Sequence, residues 1–285
     1  MQHRPSEIFG YPPESSRGDA LRNRREYRCP FLGQTCTKKS THYLLEGKKI
    51  PFGVCSVWHV GRTASESIPH IICPTRFRQD DVIFQSVSDV LDPVRQLIRL
   101  QEVKILELGT VDWFVVDYDP QKSQILNFYG LETMAVSTTM TGQIVRAMLD
   151  SFQGRLQDKY GYGINYRQVL SRMIVQLLEK GRAFHSWRKK VVWVIQDVLY
   201  DYMTGAYSLT LNDGLNEPIG LSIFSLTRDE RLGQFVLRHL YDKSGTFEDF
   251  TGMLVPQTSQ IPSEDRVKEI LSQKITGRSA RPFLE

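Results

Sequence analysis

Two carboxylates in the 285-residue chain stand where they could do chemistry together: Asp112 in VDWFVVDY and Glu132 in NFYGLETM. Both lie in β-like runs, residues 111–118 and 123–136, and the DPQK between them reads as a turn. Folding back at Asp119 and Pro120 brings Asp112, at the start of one strand, beside Glu132, near the end of the next. Two acids converging at a strand end can hold a hard cation such as magnesium, together with phosphate oxygens and water. Such an ion generates a hydroxide nucleophile and offsets charge in phosphodiester cleavage. Side chains alternate along a strand, so residue 134 shares the face of Glu132. That residue is Met134, which has no donor, no charge and little affinity for a hard cation. Strand-end acids are common, and an ordinary structural pair is the competing reading.

A second constellation is more compact. All four cysteines, Cys29, Cys36, Cys55 and Cys73, fall in the first 79 residues, with gaps of 6, 18 and 17. In a reducing compartment, clustered thiols point to a metal site rather than disulfides, and four thiolates suit zinc or a single iron. The spacing lacks a tight C-x2-C knuckle, and four buried free cysteines is the alternative. His42, His59 and His70 lie in the same stretch as substitute ligands. Residues 1–79 also carry 13 Lys and Arg against 6 Asp and Glu, whereas the remainder carries 23 against 26. A basic third on a slightly acidic body fits a polyanion partner, although a solvated basic tail would give the same count.

The elements that must position these groups read as α/β. Residues 80–100 have apolar positions at helical spacing, interrupted by Pro93. A short strand over 103–108 precedes the hairpin. Helices follow at 141–152 and 166–181, the second stopped by Gly181. VVWVIQDVLYDYM (191–203) reads as a buried strand, IGLSIFSL (219–226) as another, and residues 264–275 as a final helix. Apolar residues at 41% suit a soluble globular protein. No apolar run approaches a membrane span, and the N-terminus has no apolar signal core, so a cytoplasmic protein without membrane association is expected.

In order along the chain, EIFGYP, CPFLGQTCTKKS, GVCSV, IICPTR, VDW and YGLE resemble the blocks of the NotI family of type II restriction endonucleases. NYRQVLSRMIVQLLEKG and WRKKVVWVIQDVLYDYM extend the resemblance over most of the chain. The C-P-F opening, G-V-C centre and C-P-x-R close of the cysteine block are its most specific part. The resemblance implies a PD-(D/E)xK nuclease core in residues 80–285, preceded by an N-terminal arm and four-cysteine metal-binding module in residues 1–79. It further implies a homodimer cutting palindromic double-stranded DNA with magnesium, and a structural iron on Cys29, Cys36, Cys55 and Cys73, zinc being the alternative. Asp112 and Glu132 match the two catalytic acids and would hold the magnesium. Glu107 corresponds more loosely to a further acid, and as plain structure it is an outward residue of a short strand.

The departure is at 134, where the family pattern has glutamine and the wider superfamily lysine. Gln143 or Lys122 reaching in from elsewhere would compensate, as would metal chemistry on the two acids alone. The remaining explanation is a catalytically impaired, metal-knotted DNA-binding protein. Because both acids are present, an active nuclease is the reading adopted. A redox or iron sensor is a third reading, which requires the cysteine centre to change state. Candidate DNA contacts are Arg22, Arg24, Arg25 and Arg28, the Lys38–Lys39 pair, and FHSWRKK (184–190).

Overall fold

The computed structural model describes residues 2–45, 48–60, 66–88, 96–254 and 262–276. Its frame is a seven-stranded mixed sheet with a smaller three-stranded sheet from the N-terminal third. The smaller sheet is formed by β1 (Pro5–Ile8), β2 (Val54–Val60) and β3 (Ser67–Ile71), with helix α1 (Gly18–Arg25) between the first two. The large sheet begins with an antiparallel meander of β4 (Gln96–Ile105), β5 (Gly109–Asp119) and β6 (Gln124–Met134). Two helices, α2 (Thr141–Phe152) and α3 (Tyr166–Gln176), precede β7 (Val191–Gln196), which pairs parallel to β6. Helix α4 (Asp197–Ala206) and the short β8 (Asn212–Asp213) lead to β9 (Ile219–Asp229), parallel to β7, and a hairpin returns along β10 (Gln234–Gly245). The order across the sheet is β8-β10-β9-β7-β6-β5-β4. Helix α5 (Glu264–Thr276) closes the described chain.

Period-2 alternation sorts the strands into two cores. Phe114, Met134, Trp193, Ile195, Leu221 and Ile223 pack with Ile144, Met148, Val169 and Met173 of α2 and α3. On the opposite face Val115, Leu131, Val192 and Phe224 pack with Ile71, Phe77 and Ile83. Strand β7 is buried along its whole length, as a central parallel strand covered on both faces must be. The N-terminal third contributes to both cores: Ile8, Phe9 and Phe52 join the helix side, and Ile71 and Phe77 the other.

A buried ion pair fastens that third in place. Arg76 and Glu7 have no exposed side-chain surface, and the Arg76 Nε lies 3.0 and 2.9 Å from the two carboxylate oxygens. Arg76 also donates to Gln79 Oε1 at 2.8 Å and to the Phe235 carbonyl at 2.9 Å, while Ser56 Oγ donates to Glu7 at 2.6 Å. The arginine of C-P-x-R and the glutamate of EIFGYP are thus partners across 69 residues.

Three elements differ from the sequence reading. Residues 80–100 do not form one helix: a short helix covers Val82–Ser86, and 96–100 belong to edge strand β4. Pro93 lies outside the described residues. Nor is 191–203 one strand, because β7 ends at Gln196 and α4 starts at Asp197, whose carboxylate accepts from the Val198 N–H. Gly181 does not stop the second helix. The chain passes from α3 through a π-helical turn, Leu177–Gly181, into the helix Arg182–Ser186. The glycine serves instead for close approach, since a Cβ there would sit 2.7 Å from Ile219 Cδ1.

Candidate active site

The β5–β6 hairpin delivers the acids as its alternation requires. Asp119 Oδ1 accepts from the N–H groups of Gln121 and Lys122 and fixes the turn. The ladder then runs to Leu131 opposite Trp113, one step from Glu132 and Asp112. Asp112 is half-buried, and its Oδ2 accepts from the Thr133 N–H at 2.9 Å and the Thr133 hydroxyl at 2.8 Å. Glu132 is buried, with 3% of its surface exposed.

Lys180, which the sequence reading did not single out, completes the group. It projects from the π-helical turn, is 4% exposed, and places its Nζ 2.5 Å from Glu132 Oε1 and 2.7 Å from the Thr110 carbonyl. Its signal in the sequence is its position: three residues after Leu177 and seven after Met173, it lies on the inward face of the helix. A lysine there needs a partner.

Burial and the nearby charge of Asp112 push the Glu132 carboxyl up to about 7, against the pull of Lys180. With both acids ionised, the three groups carry one net negative charge. That imbalance is what an added cation would neutralise. Met134 is 8% exposed and packed in the helix-side core, so it adds no polar group.

The acids open into a cleft of about 380 Å³, lined also by Lys38, Met134, Gln168, Arg172 and Gln176. The last three stand four residues apart along α3 and so share one face. Arg172 is steadied by a 2.7 Å hydrogen bond to Ser137 Oγ. A second hollow, bordered by Gln34, Thr37, Arg78 and Gln101, meets the first at Asp112 and Thr133.

The other predicted residues are distributed unevenly. Glu107 stands in the exposed β4–β5 turn and does not line the cleft. Gln143 does not line it either, and Lys122 is in the turn at the far end of the hairpin, ten residues from Glu132 and roughly 30 Å along the strand. Neither compensates for Met134. Among the basic candidates, Lys38 lines the cleft with its Nζ on the Ile72 carbonyl at 3.1 Å and over the Phe52 ring, whereas Arg24 is tied to the Pro12 and Ser15 carbonyls away from it. Lys189 bonds Asn127 Oδ1, which puts 184–190 at the opposite end of β6 from the acids.

Cys29, Cys36, Cys55 and Cys73 border one small cavity of about 20 Å³ and are all free thiols. Burial, reinforced by neighbouring thiols, raises Cys29 to about 11 and pushes Cys36 and Cys55 up as well. Among the described residues no three His, Cys, Asp or Glu side chains are arranged to hold a metal ion. The fold therefore gathers the four donors at one cavity without bringing three to ligand geometry. His70 is committed elsewhere, with Nδ1 on the Ile68 carbonyl and Nε2 2.5 Å from the Tyr166 hydroxyl, and His59 packs against it. The His42 side chain lies outside the described residues.

A mixed sheet presents paired acids to a cleft edged by lysine and arginine, an arrangement compatible with phosphodiester cleavage. Comparison with protein families makes the class specific. The family model described as Restriction endonuclease NotI matches residues 17–216, well over half of the chain, and the protein belongs to that family. It is accordingly a type II site-specific deoxyribonuclease acting on double-stranded DNA. No curated protein matches the sequence. Among the described residues no helix is long and apolar enough to cross a membrane.

Proposed function

We propose that the protein hydrolyses both strands of a palindromic DNA site with magnesium, on a PD-(D/E)xK core, through Asp112 and Glu132. One observation carries this reading: a buried glutamate beside a second carboxylate, only partly balanced by one lysine, at the wall of a basic-edged cleft. Buried charge left uncompensated is costly, and a cation removes the cost. Asp112, oriented by Thr133, and Glu132, oriented by Lys180, would hold the ion. When bound, it supplies a hydroxide nucleophile and offsets charge on the phosphate. Asp112 Oδ1 has no hydrogen-bond partner among the described residues and can accept a proton from water. Arg172 and Lys38 receive the phosphate oxygens, which makes binding steeply salt-dependent. Cutting both strands of a palindrome calls for two such sites related by a twofold axis, hence a homodimer.

Cys29, Cys36, Cys55 and Cys73 would hold a structural iron, with zinc as the alternative. Their donor set and shared cavity fit a tetrahedral thiolate site, and the ion would draw the four sulfurs together as the thiols lose their protons.

The test is incubation with a large unmethylated DNA and magnesium, followed by sequencing of fragment ends, for the wild type and Asp112→Asn. Discrete ends at a repeated palindrome, absent from an Asp112→Asn protein that still binds DNA, are expected. Intact DNA despite binding by the wild type would favour the binding-only reading of Met134.

A further inference from the structure

We propose that Lys180 is a positioning residue that fills, from the helix side, the role left open by Met134 on the strand. This rests on the assignment of Asp112 and Glu132 as the hydrolytic centre. Three observations carry it. Met134 shares the face of Glu132 and lines the same cleft, but has no donor. The Lys180 ammonium is placed against Glu132 at 2.5 Å while almost wholly buried. An ammonium has three N–H donors, and the described residues provide acceptors for two, Glu132 and the Thr110 carbonyl.

The local backbone supports that placement. Lys180 is carried by the π-helical turn, a rare wide turn that occurs often at functional sites. The next residue, Gly181, has no side chain to separate the helix from Ile219 of β9. Thr110 lies on β5, two residues before Asp112, so one ammonium ties together the strands bearing both acids. Holding the Glu132 carboxylate in place is a task for which methionine is unsuited. Lys180, buried behind Glu132 rather than lining the cleft itself, performs it from a different element.

The experiment compares wild type, Lys180→Met, Lys180→Arg, the exchange Met134→Lys/Lys180→Met, and Asp112→Asn. Single-turnover cleavage with magnesium, DNA affinity without divalent metal, and melting temperature are measured for each. Lys180→Met should cut about 10²–10³-fold more slowly, a loss typical of removing a positioned proton-handling or charge-stabilising group. Its DNA affinity should stay within about 3-fold of wild type, since Lys180 is buried behind Glu132 and the cleft-lining cations Arg172 and Lys38 are unchanged. The exchange should recover at least about tenfold of the lost rate, because it returns an ammonium to the face of Glu132. Lys180→Arg should retain more activity than Lys180→Met.

Without metal, Lys180→Met should melt below wild type, and adding Asp112→Asn should raise the melting temperature again by removing the excess negative charge. Wild-type cleavage by Lys180→Met, with Asp112→Asn inactive, would overturn the role of Lys180 and leave the hydrolytic centre standing. A folded exchange variant as slow as Lys180→Met would also overturn it. Cleavage by Asp112→Asn would instead overturn the reading on which the proposal rests.

Discussion

Among the described residues two carboxylate–cation pairs are buried, and they are built to opposite specifications. Glu7 and Arg76 are wholly enclosed, balanced in charge, and surrounded by Ser56, Gln79 and the Phe235 carbonyl, so the pair is both neutral overall and well hydrogen-bonded. Glu132 and Lys180 are nearly as enclosed, but Asp112 adds a second negative charge and the site opens to a cleft. A balanced, saturated pair can fix a fold and has little capacity left for a ligand. An unbalanced pair costs stability and keeps an affinity for what would balance it. The first joins three segments of the N-terminal third to the C-terminal hairpin; the second stands at the wall of the cleft.

The largest effect expected from breaking this contrast is at the structural pair. Arg76→Met strands a buried carboxylate, and equilibrium denaturation should show a loss of about 3–5 kcal/mol. A loss below about 1 kcal/mol would mean that the pair is as expendable as a surface contact.

Next in size is a pH effect confined to the Glu132–Lys180 pair. The Glu132 carboxyl is raised to about 7 in the metal-free fold, above its unfolded value of about 4.3. Between those values the folded state binds more protons than the unfolded, so stability must fall as pH rises through the window. The expected contribution is up to about 4 kcal/mol, and Glu132→Gln should remove that part of the slope. An unchanged slope would remove Glu132 from the unbalanced group.

The four thiols sharpen the comparison from a third side, since their burial is explained if they carry an ion. Elemental analysis should find one iron, or one zinc, per chain, and chelation should unfold the N-terminal third. A metal-free protein with that third intact would reduce the cysteines to packing residues. The smallest effect is at Asp112. Asp112→Asn relieves repulsion at Glu132 while keeping an oxygen for Thr133, so the variant should match wild type in stability or gain about 1 kcal/mol.

What could be read in the sequence follows from how local each signal is. The hairpin and its acids were legible because alternation and the Asp119–Pro120 turn are local, and they set the register on their own. The helix over 141–152 coincides with its expected bounds, as its buried Ile144, Val145, Ala147 and Met148 keep a helical period. The run 191–203 misleads because β7 is covered on both faces and has no alternation to contrast with the buried Val198, Leu199 and Met203 of α4. In 80–100, Ile83 and Val87 suit a helix, while the alternating end of the stretch is an edge strand whose partner lies downstream. The partnership of Glu7 with Arg76 was out of reach, because each motif was visible and the contact between them is long-range. Lys180 carries a signal in the sequence, a cation on the inward face of a helix, but with Gly181 read as the stop of that helix it was not singled out.

The most direct test sets the two glutamates side by side. Glu7→Gln and Glu132→Gln are to be compared for unfolding free energy without metal and for DNA cleavage with magnesium. Glu7→Gln should lose several kcal/mol of stability, on the order expected for an unpaired buried charge, and still cut DNA under conditions where it remains folded. Glu132→Gln should stay as stable as wild type near neutral pH or gain slightly, because its site passes from one net negative charge to none, and it should not cut. Cleavage by a folded Glu132→Gln protein, or a stability loss there as large as at Glu7, would contradict the division of the two pairs into one that holds the fold and one that performs the reaction.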